Sequence, residues 1–396
     1  MKRSLAAVIA AMMLLLSPLH GRAADAKWIE LRSGFATVVV SNAGEAAARE
    51  LLSRIERVRA TIKLALGAAI KDLEEPLLVI APRDVEGMRE LVGDAAKRNR
   101  ALLVAASLPA PYSHHLAVRA ATRESRRDQL LMHEYLHQVT QANVDDPPAW
   151  LDEGLSEFWS TIEVNDRGAR AGRELSHYAR TLRSQRLIPL RDLMQVRRGR
   201  YEAVSGRLAV FYAESWALVH YLITKRDARA IAYAPDVPAD PAMLQKEFES
   251  YVRAGKFNAM VLPGAARATA AAALPAMRML TDAEALALRA SVAVYGERPG
   301  VALDLAERAL RLNPSETLAL EVKGVYFFLT NRAGEARIWL KRAMETPSAS
   351  FRAHYYYAVL SADTPAVAER HLKRTLELKP GFKPALDRIA AFPKLH

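Results

Sequence analysis

The sequence predicts an α+β protein: a domain built on a small mixed sheet with packed helices, followed by an all-α array of helical hairpins. Three observations carry this. Apolar residues alternate as a strand requires from Trp28 to Val40, and again in short runs before residue 120. Stripes with helical period cover 45–66, 125–143 and 208–223. Pro314, Pro347 and Pro380, spaced by 33 and 33 residues, each close a helix-like run.

Taken in order, Ile29, Leu31, Phe35 and Val38 to Val40 outline a hairpin that opens the sheet, ending at Ser41 before Asn42-Ala43-Gly44. Glu45 to Leu66 forms a long helix, with Leu51, Leu52, Ile55, Val58, Ile62 and Leu66 on one side. Pro76 to Ile80 and His115 to Arg119 are short buried strands. The next helix is expected to start at a capping box, Ser125-x-x-Asp128, and to run to Asn143, where Asp145, Asp146, Pro147 and Pro148 stop it. Further helices are predicted at Trp150 to Ile162, Leu208 to Ile223 and Ala242 to Val252. Ala265 to Pro275 is Ala-rich and nearly uncharged, so a boundary falls there. The expected division is 1–23, a secretory signal; 27–262, the sheet-bearing domain; 263–280, a linker; and 281–396, the array. Its period, its small residues at helix crossings and its closing prolines resemble the tetratricopeptide repeat, with a remnant helix at Pro384 to Ala391.

The first 23 residues read as an export signal because Met1, Lys2 and Arg3 precede an uncharged run from Leu5 to Leu16 and then small residues. That run is too short for the roughly 20 residues of a membrane span. The expected location is therefore outside the cytoplasm, periplasmic or secreted, and soluble. Of 56 basic residues, cleavage after Ala23 removes Lys2, Arg3 and Arg22, leaving 53 against 44 acidic and a net charge of +9. These charges are scattered without a long basic run, which argues against a nucleic-acid partner. With no cysteine in 396 residues, disulfides, thiolate metal sites and a Cys nucleophile are excluded, and any metal site must use His, Asp or Glu.

His133-Glu134-Tyr135-Leu136-His137 supplies such a set. On a helix, residues four apart lie about 40° apart in angle and about 6 Å apart along the axis, so both imidazoles can reach one tetrahedral ion. Glu134 lies beside them. Fifteen residues separate His137 from Glu153, which lies in Trp150-Leu151-Asp152-Glu153-Gly154-Leu155-Ser156-Glu157-Phe158. A hydrolytic zinc uses three protein ligands and keeps one position open, and Glu153 is the natural third. Glu157, one turn further on, can accept a hydrogen bond from the outer nitrogen of a ligating His. The remaining histidines, among them His177, His220, His354, His371 and His396, lack ligand spacing and read as surface or core residues.

H-E-x-x-H followed by W-L-x-E-G-L-x-E-F resembles the gluzincin zinc peptidases, most closely the peptidase MA-like bacterial proteins, over Trp28 to Val252. The resemblance implies a Zn2+ held by His133, His137 and Glu153, with Glu134 as general base and Glu157 supporting a ligand. It also implies that Tyr212, in Phe211-Tyr212-Ala213-Glu214-Ser215-Trp216, hydrogen-bonds the oxygen that gains charge, and that the His115 to Arg119 strand is the edge that pairs with an extended peptide. The expected activity is peptide-bond hydrolysis by water activated on zinc, with peptide or protein substrates and a protein partner or substrate docked on the repeats. Two alternatives share the same residues: a non-catalytic exported scaffold that binds proteins through its repeats, and a zinc amidase acting on cell-wall peptides.

Overall fold

A computed structural model describes residues 27–391 apart from 42–44, 68–69, 74, 99, 109, 123, 166–167, 198–203, 205, 226–240, 263–276 and 297–298. The expected export signal and most of the expected linker lie outside the described residues. The chain begins with β1 (Trp28–Arg32) and β2 (Ala36–Ser41), joined as an antiparallel hairpin with Leu31 opposite Val38. A long helix, α1 (Glu45–Leu66), leads to β3 (Leu77–Ala81), which lies parallel to β2. Helices α2 (Val85–Val92) and α3 (Ala95–Arg98) precede the hairpin of β4 (Ala105–Leu108) and β5 (His115–Val118). Next come α4 (Glu124–Asn143) and α5 (Ala149–Ser160), then β6 (Glu163–Asn165) and β7 (Gly168–Ala171). Helices α6 (Ser176–Ser184), α7 (Leu190–Gln195), α8 (Leu208–Lys225) and α9 (Pro241–Ala254) follow, with β8 (Met260–Leu262) completing a small antiparallel sheet in the order β6-β7-β8.

The main sheet is mixed, ordered β4-β5-β3-β2-β1-β9, where β9 (Met277–Met279) pairs antiparallel with β1. Residues 277–279 thus form a strand within the stretch expected to be a linker. Both sheet faces are covered, which is why Val38-Val39-Val40 can be apolar at successive positions. Val38 and Val40 face the larger core with Leu51 and Ile55 of α1, Met132 of α4, Trp150 of α5 and Trp216 of α8. Val39, one residue out of phase, packs on the other face with Ile80, Ala117 and Met88 of α2.

Arginine side chains tie α1 to the helices beneath it. Arg127 pairs with Glu50 at 2.9 Å, Arg54 lies 3.6 Å from Asp128, and Arg54 Nη2 donates to the Ile162 carbonyl at 2.6 Å. The expected capping box is not one: α4 already begins at Glu124, so Ser125 lies inside the helix and Asp128 serves these arginines instead. The strand expected at the sheet edge is also reassigned. β5 is an inner strand, bonded to β3 on one side and β4 on the other, and β4 forms the edge.

The C-terminal region is all-helical. Its hairpins are α10 (Asp282–Ala293) with α11 (Pro299–Leu312), α12 (Thr317–Leu329) with α13 (Ala333–Met344), and α14 (Phe351–Leu360) with α15 (Pro365–Leu378), closed by α16 (Lys383–Ala391). Pro314, Pro347 and Pro380 each fall just beyond a second helix, where a residue without an N–H cannot continue it. Small residues let these helices approach: a Cβ on Gly324 of α12 would lie 2.6 Å from Leu340 of α13. The capping box that does form is Thr281 with Glu284, opening α10. Ala285 and Val292 of α10 join the second face of the main sheet, and the buried Arg289 donates to Glu90 of α2 at 2.6 Å. The first helix of the array is therefore part of the sheet's own core.

Gly154 fixes the closest crossing near the metal-capable residues. A Cβ there would sit 2.4 Å from the Ser215 carbonyl oxygen and 2.5 Å from Val219, so α5 and α8 meet backbone to side chain. Gly154→Ala is expected to destabilise the protein by about 1–3 kcal/mol, the usual cost of overpacking a close-packed core, read as a lower urea midpoint at unchanged slope. An unchanged midpoint would show that the crossing is not tight.

Candidate metal centre

Two helices build the site. Their sequences place acids and imidazoles one turn apart on facing stripes. On α4, His133 and His137 present their rings edge to face with centroids 4.7 Å apart, and their Nε2 atoms are 3.1 Å apart. From α5, Glu153 brings Oε2 to 3.7 Å from His133 Nε2 and 3.5 Å from His137 Nε2. These three residues offer ligand atoms all within 4.8 Å of one another and could hold a metal ion. Ligands about 2.0–2.1 Å from a tetrahedral ion stand roughly 3.3 Å from each other, so the spacing fits without rearrangement. Two imidazoles and a carboxylate form a donor set for zinc and other first-row divalent ions.

The surroundings orient the rings. His137 Nδ1 is 2.8 Å from Asp152 Oδ1 and 3.1 Å from Ser156 Oγ, and both partners are almost completely buried. Donation from Nδ1 to Asp152 places the lone pair on Nε2, which faces the centre. Burial opposes charge on His137, but the hydrogen bonds to Asp152 and Glu153 outweigh it and push its pKa up to about 10. A metal ion must displace that proton, so binding tightens as pH rises. His133 Nδ1 lies 3.6 Å from Glu157 Oε1, an oxygen that also accepts a 2.6 Å hydrogen bond from Tyr178. Burial, followed by Glu157, pushes the Tyr178 phenol far above its ordinary pKa, so it stays a donor.

Glu134 points toward the edge strand, where its Oε2 accepts a 2.9 Å hydrogen bond from the Ser107 N–H of β4. Tyr212 is the half-buried residue on an otherwise buried stretch of α8. Burial pushes its pKa up to about 12, and Glu153, Glu157 and Glu134 add to the shift. The phenol therefore shares the electrostatic environment of all three carboxylates. All six residues singled out from the sequence, His133, Glu134, His137, Glu153, Glu157 and Tyr212, gather in this region.

Sequence reasoning missed Asp152, Ser156, Tyr178 and Ser107. Asp152 and Ser156 are one turn apart and shifted by one residue from Glu153 and Glu157, so α5 carries two polar stripes on a helix otherwise buried by Trp150, Leu155 and Phe158. A second buried acid beside the expected ligand was the available signal. His220, His354 and His371 serve elsewhere. His220 is buried among Phe158, Trp216 and Phe257 and contacts the Tyr251 hydroxyl at 2.6 Å, while His354 and His371 face each other with Nδ1 atoms 3.0 Å apart.

Comparison with known protein families gives a match over part of the chain. Residues 129–239, which hold all six singled-out residues, match a family described as "Protein of unknown function (DUF1570)". No curated protein and no solved structure matches the chain. The class that fold and site define is therefore an α+β protein with a His-His-Glu group able to hold a metal ion, joined to a helical array. The particular relationship is the match of residues 129–239 to that family.

Asp152→Asn is expected to weaken zinc binding about 10- to 100-fold, as loss of a ligand's hydrogen-bonded support does, measured by competition with a chelating dye. An unchanged affinity would remove Asp152 from the site. A pH effect follows from Glu214, buried on α8, whose carboxylate accepts a 2.7 Å hydrogen bond from the Ile188 N–H. Burial outweighs that bond and raises its pKa from 4.5 to about 8. Because the folded pKa is raised, its contribution is complete below pH 4.5 and is lost as pH rises through about 8. Glu214→Gln should therefore gain stability relative to wild type between pH 5 and pH 9 in urea unfolding, and a pH-independent difference would contradict this.

Proposed function

We propose that the protein is an exported zinc-dependent hydrolase of amide bonds, a metallopeptidase of the gluzincin type, with a site of His133, His137 and Glu153. The observation that carries this reading is the convergence of those three side chains within 4.8 Å, with the Glu134 carboxylate anchored beside them. A purely structural metal site has no use for a neighbouring anchored carboxylate, which favours catalysis over an idle scaffold.

Bound there, zinc would polarise a substrate carbonyl and make water a usable nucleophile near neutral pH. The rest falls to the chain's own residues. Glu134 takes the proton from the attacking water on one carboxylate oxygen, while the Ser107 N–H holds the other at 2.9 Å, and Glu134 then returns the proton to the leaving amine. Tyr212, a neutral donor at pH 7, shares the charge growing on the carbonyl oxygen through a hydrogen bond that strengthens as charge develops. Asp152 keeps Nε2 of His137 turned to the centre, and Glu157, braced by Tyr178, supports His133. In this reading 27–262 carries the chemistry, 281–396 docks a substrate or partner, and the leading 23 residues direct export.

Three variants separate the roles. Glu134→Gln should retain stoichiometric zinc and lose hydrolysis of a denatured protein by about 10²–10⁴-fold. Glu153→Ala should lose the metal. Tyr212→Phe should keep zinc while kcat falls by roughly 10²–10³-fold, the usual effect of removing one oxyanion donor. Wild-type protein without stoichiometric zinc would overturn the reading, and cleavage of purified peptidoglycan but not denatured protein would redirect it to a cell-wall amidase.

A further inference from the structure

The loop between β4 and β5 carries Tyr112 at a φ of 64°, a backbone conformation that disfavours a bulky side chain. Its surroundings hold it there. The ring stands edge-on to Tyr355 of α14 with centroids 5.5 Å apart, and to Phe382, just before α16, at 4.9 Å. Phe351 extends this cluster, 5.1 Å from Phe382. Arg352 Nη2 donates to the Tyr112 carbonyl at 3.5 Å, and nearby Lys379 pairs with Glu75 at 3.0 Å. The last hairpin of the array thus grips a loop of the sheet-bearing region through side chains.

From Tyr112 a chain of contacts leads to the candidate site. Two residues on, His114 Nδ1 donates to Gln138 Oε1 at 2.9 Å, on the turn of α4 just beyond His137. The Gln138 side-chain amide donates to Ser107 Oγ on β4. Ser107 in turn gives its N–H to Glu134, as described above. β4 is an edge strand, and among the described residues β5 is its one hydrogen-bonded neighbour in the sheet, so main-chain pairing holds it from one side. A small displacement there would release one oxygen of the Glu134 carboxylate.

We propose that the helical array is a positioning device for the hydrolytic site: Tyr112, docked against the Tyr355 and Phe382 rings, fixes the β4–β5 loop so that Gln138 and His114 hold the Ser107 N–H on Glu134. Tyr112, His114 and Gln138 are positioning residues, since none of them touches the reacting atoms. On this account the aromatic cluster of the last hairpin is satisfied in cis, and the strain at Tyr112 is maintained because docking over-determines the loop. The proposal rests on Glu134 acting as the base.

The test pairs kinetics with amide hydrogen exchange at Ser107 in zinc-loaded protein. Tyr112→Ala should lower kcat by about 10- to 100-fold, as a misplacement near 1 Å does, with zinc content unchanged and Ser107 exchange accelerated. Tyr112→Phe, which keeps the docked ring, should match wild type in both readouts. Gln138→Leu should reproduce the loss in kcat, and the double variant with Tyr112→Ala should be no worse than the poorer single, because both act on one contact. Should Tyr112→Ala not fold, Phe382→Leu loosens the docking site from the other side and is read identically. Unchanged kcat and exchange in Tyr112→Ala overturn the proposal, as does a fall in kcat with Ser107 protection intact. If the hydrolase reading itself fails, wild type and Glu134→Gln are equally inactive, and exchange at Ser107 alone still decides whether the array positions the strand.

Discussion

The hydrogen bond from His137 to Asp152 is the contact on which the site turns. It joins α4 to α5 at 2.8 Å between two buried side chains, and it fixes which ring nitrogen faces Glu153. A buried imidazole and a buried carboxylate are each costly alone, and removing one partner typically costs about 3–5 kcal/mol because the other is left uncompensated. The helices are therefore committed to one register. Given that register, His133 and Glu153 can only face the same point, and Glu157 can only stand behind His133.

Packing enforces the same register from outside. Gly154 lets α8 lie directly against α5, which brings Tyr212 within electrostatic reach of the carboxylates, while Trp216 on the same helix fills the core behind. On the far side, α1 is clamped to α4 by Arg127 and Arg54. The main sheet backs this assembly on one face and the first helix of the array covers the other, so the array belongs to the fold's support as well as to its surface. The Tyr112 loop extends that support to the edge strand beside Glu134.

Much of this was legible in the sequence, for reasons that also explain what was not. Helices α1, α4, α5 and α8 carry long apolar stripes, and the repeat prolines recur at a fixed period, so their positions follow from local pattern. His133, His137 and Glu153 were legible because metal-ligand chemistry restricts both residue type and spacing. β4 is hidden in the sequence because Ala105-Ala106-Ser107-Leu108 is short and made mostly of small residues, so local pattern shows β5 without the neighbour that covers its outer side. β9 is three residues long with a charge at its centre, and it becomes a strand only by pairing with β1 from the other end of the chain. Asp152, Tyr178 and Ser107 act through contacts with residues 15, 21 and 27 positions away, a relation no local period encodes.

The proposed function depends on two imidazoles and one carboxylate from α4 and α5 holding a single ion. X-ray absorption on protein loaded with one equivalent of zinc addresses it directly. The expected result is one zinc per chain in a four-coordinate nitrogen and oxygen shell at about 2.0–2.1 Å, with two imidazole scattering signatures that fall to one in His133→Ala. A shell without imidazole, or zinc that dialyses away from the wild-type protein, would contradict it.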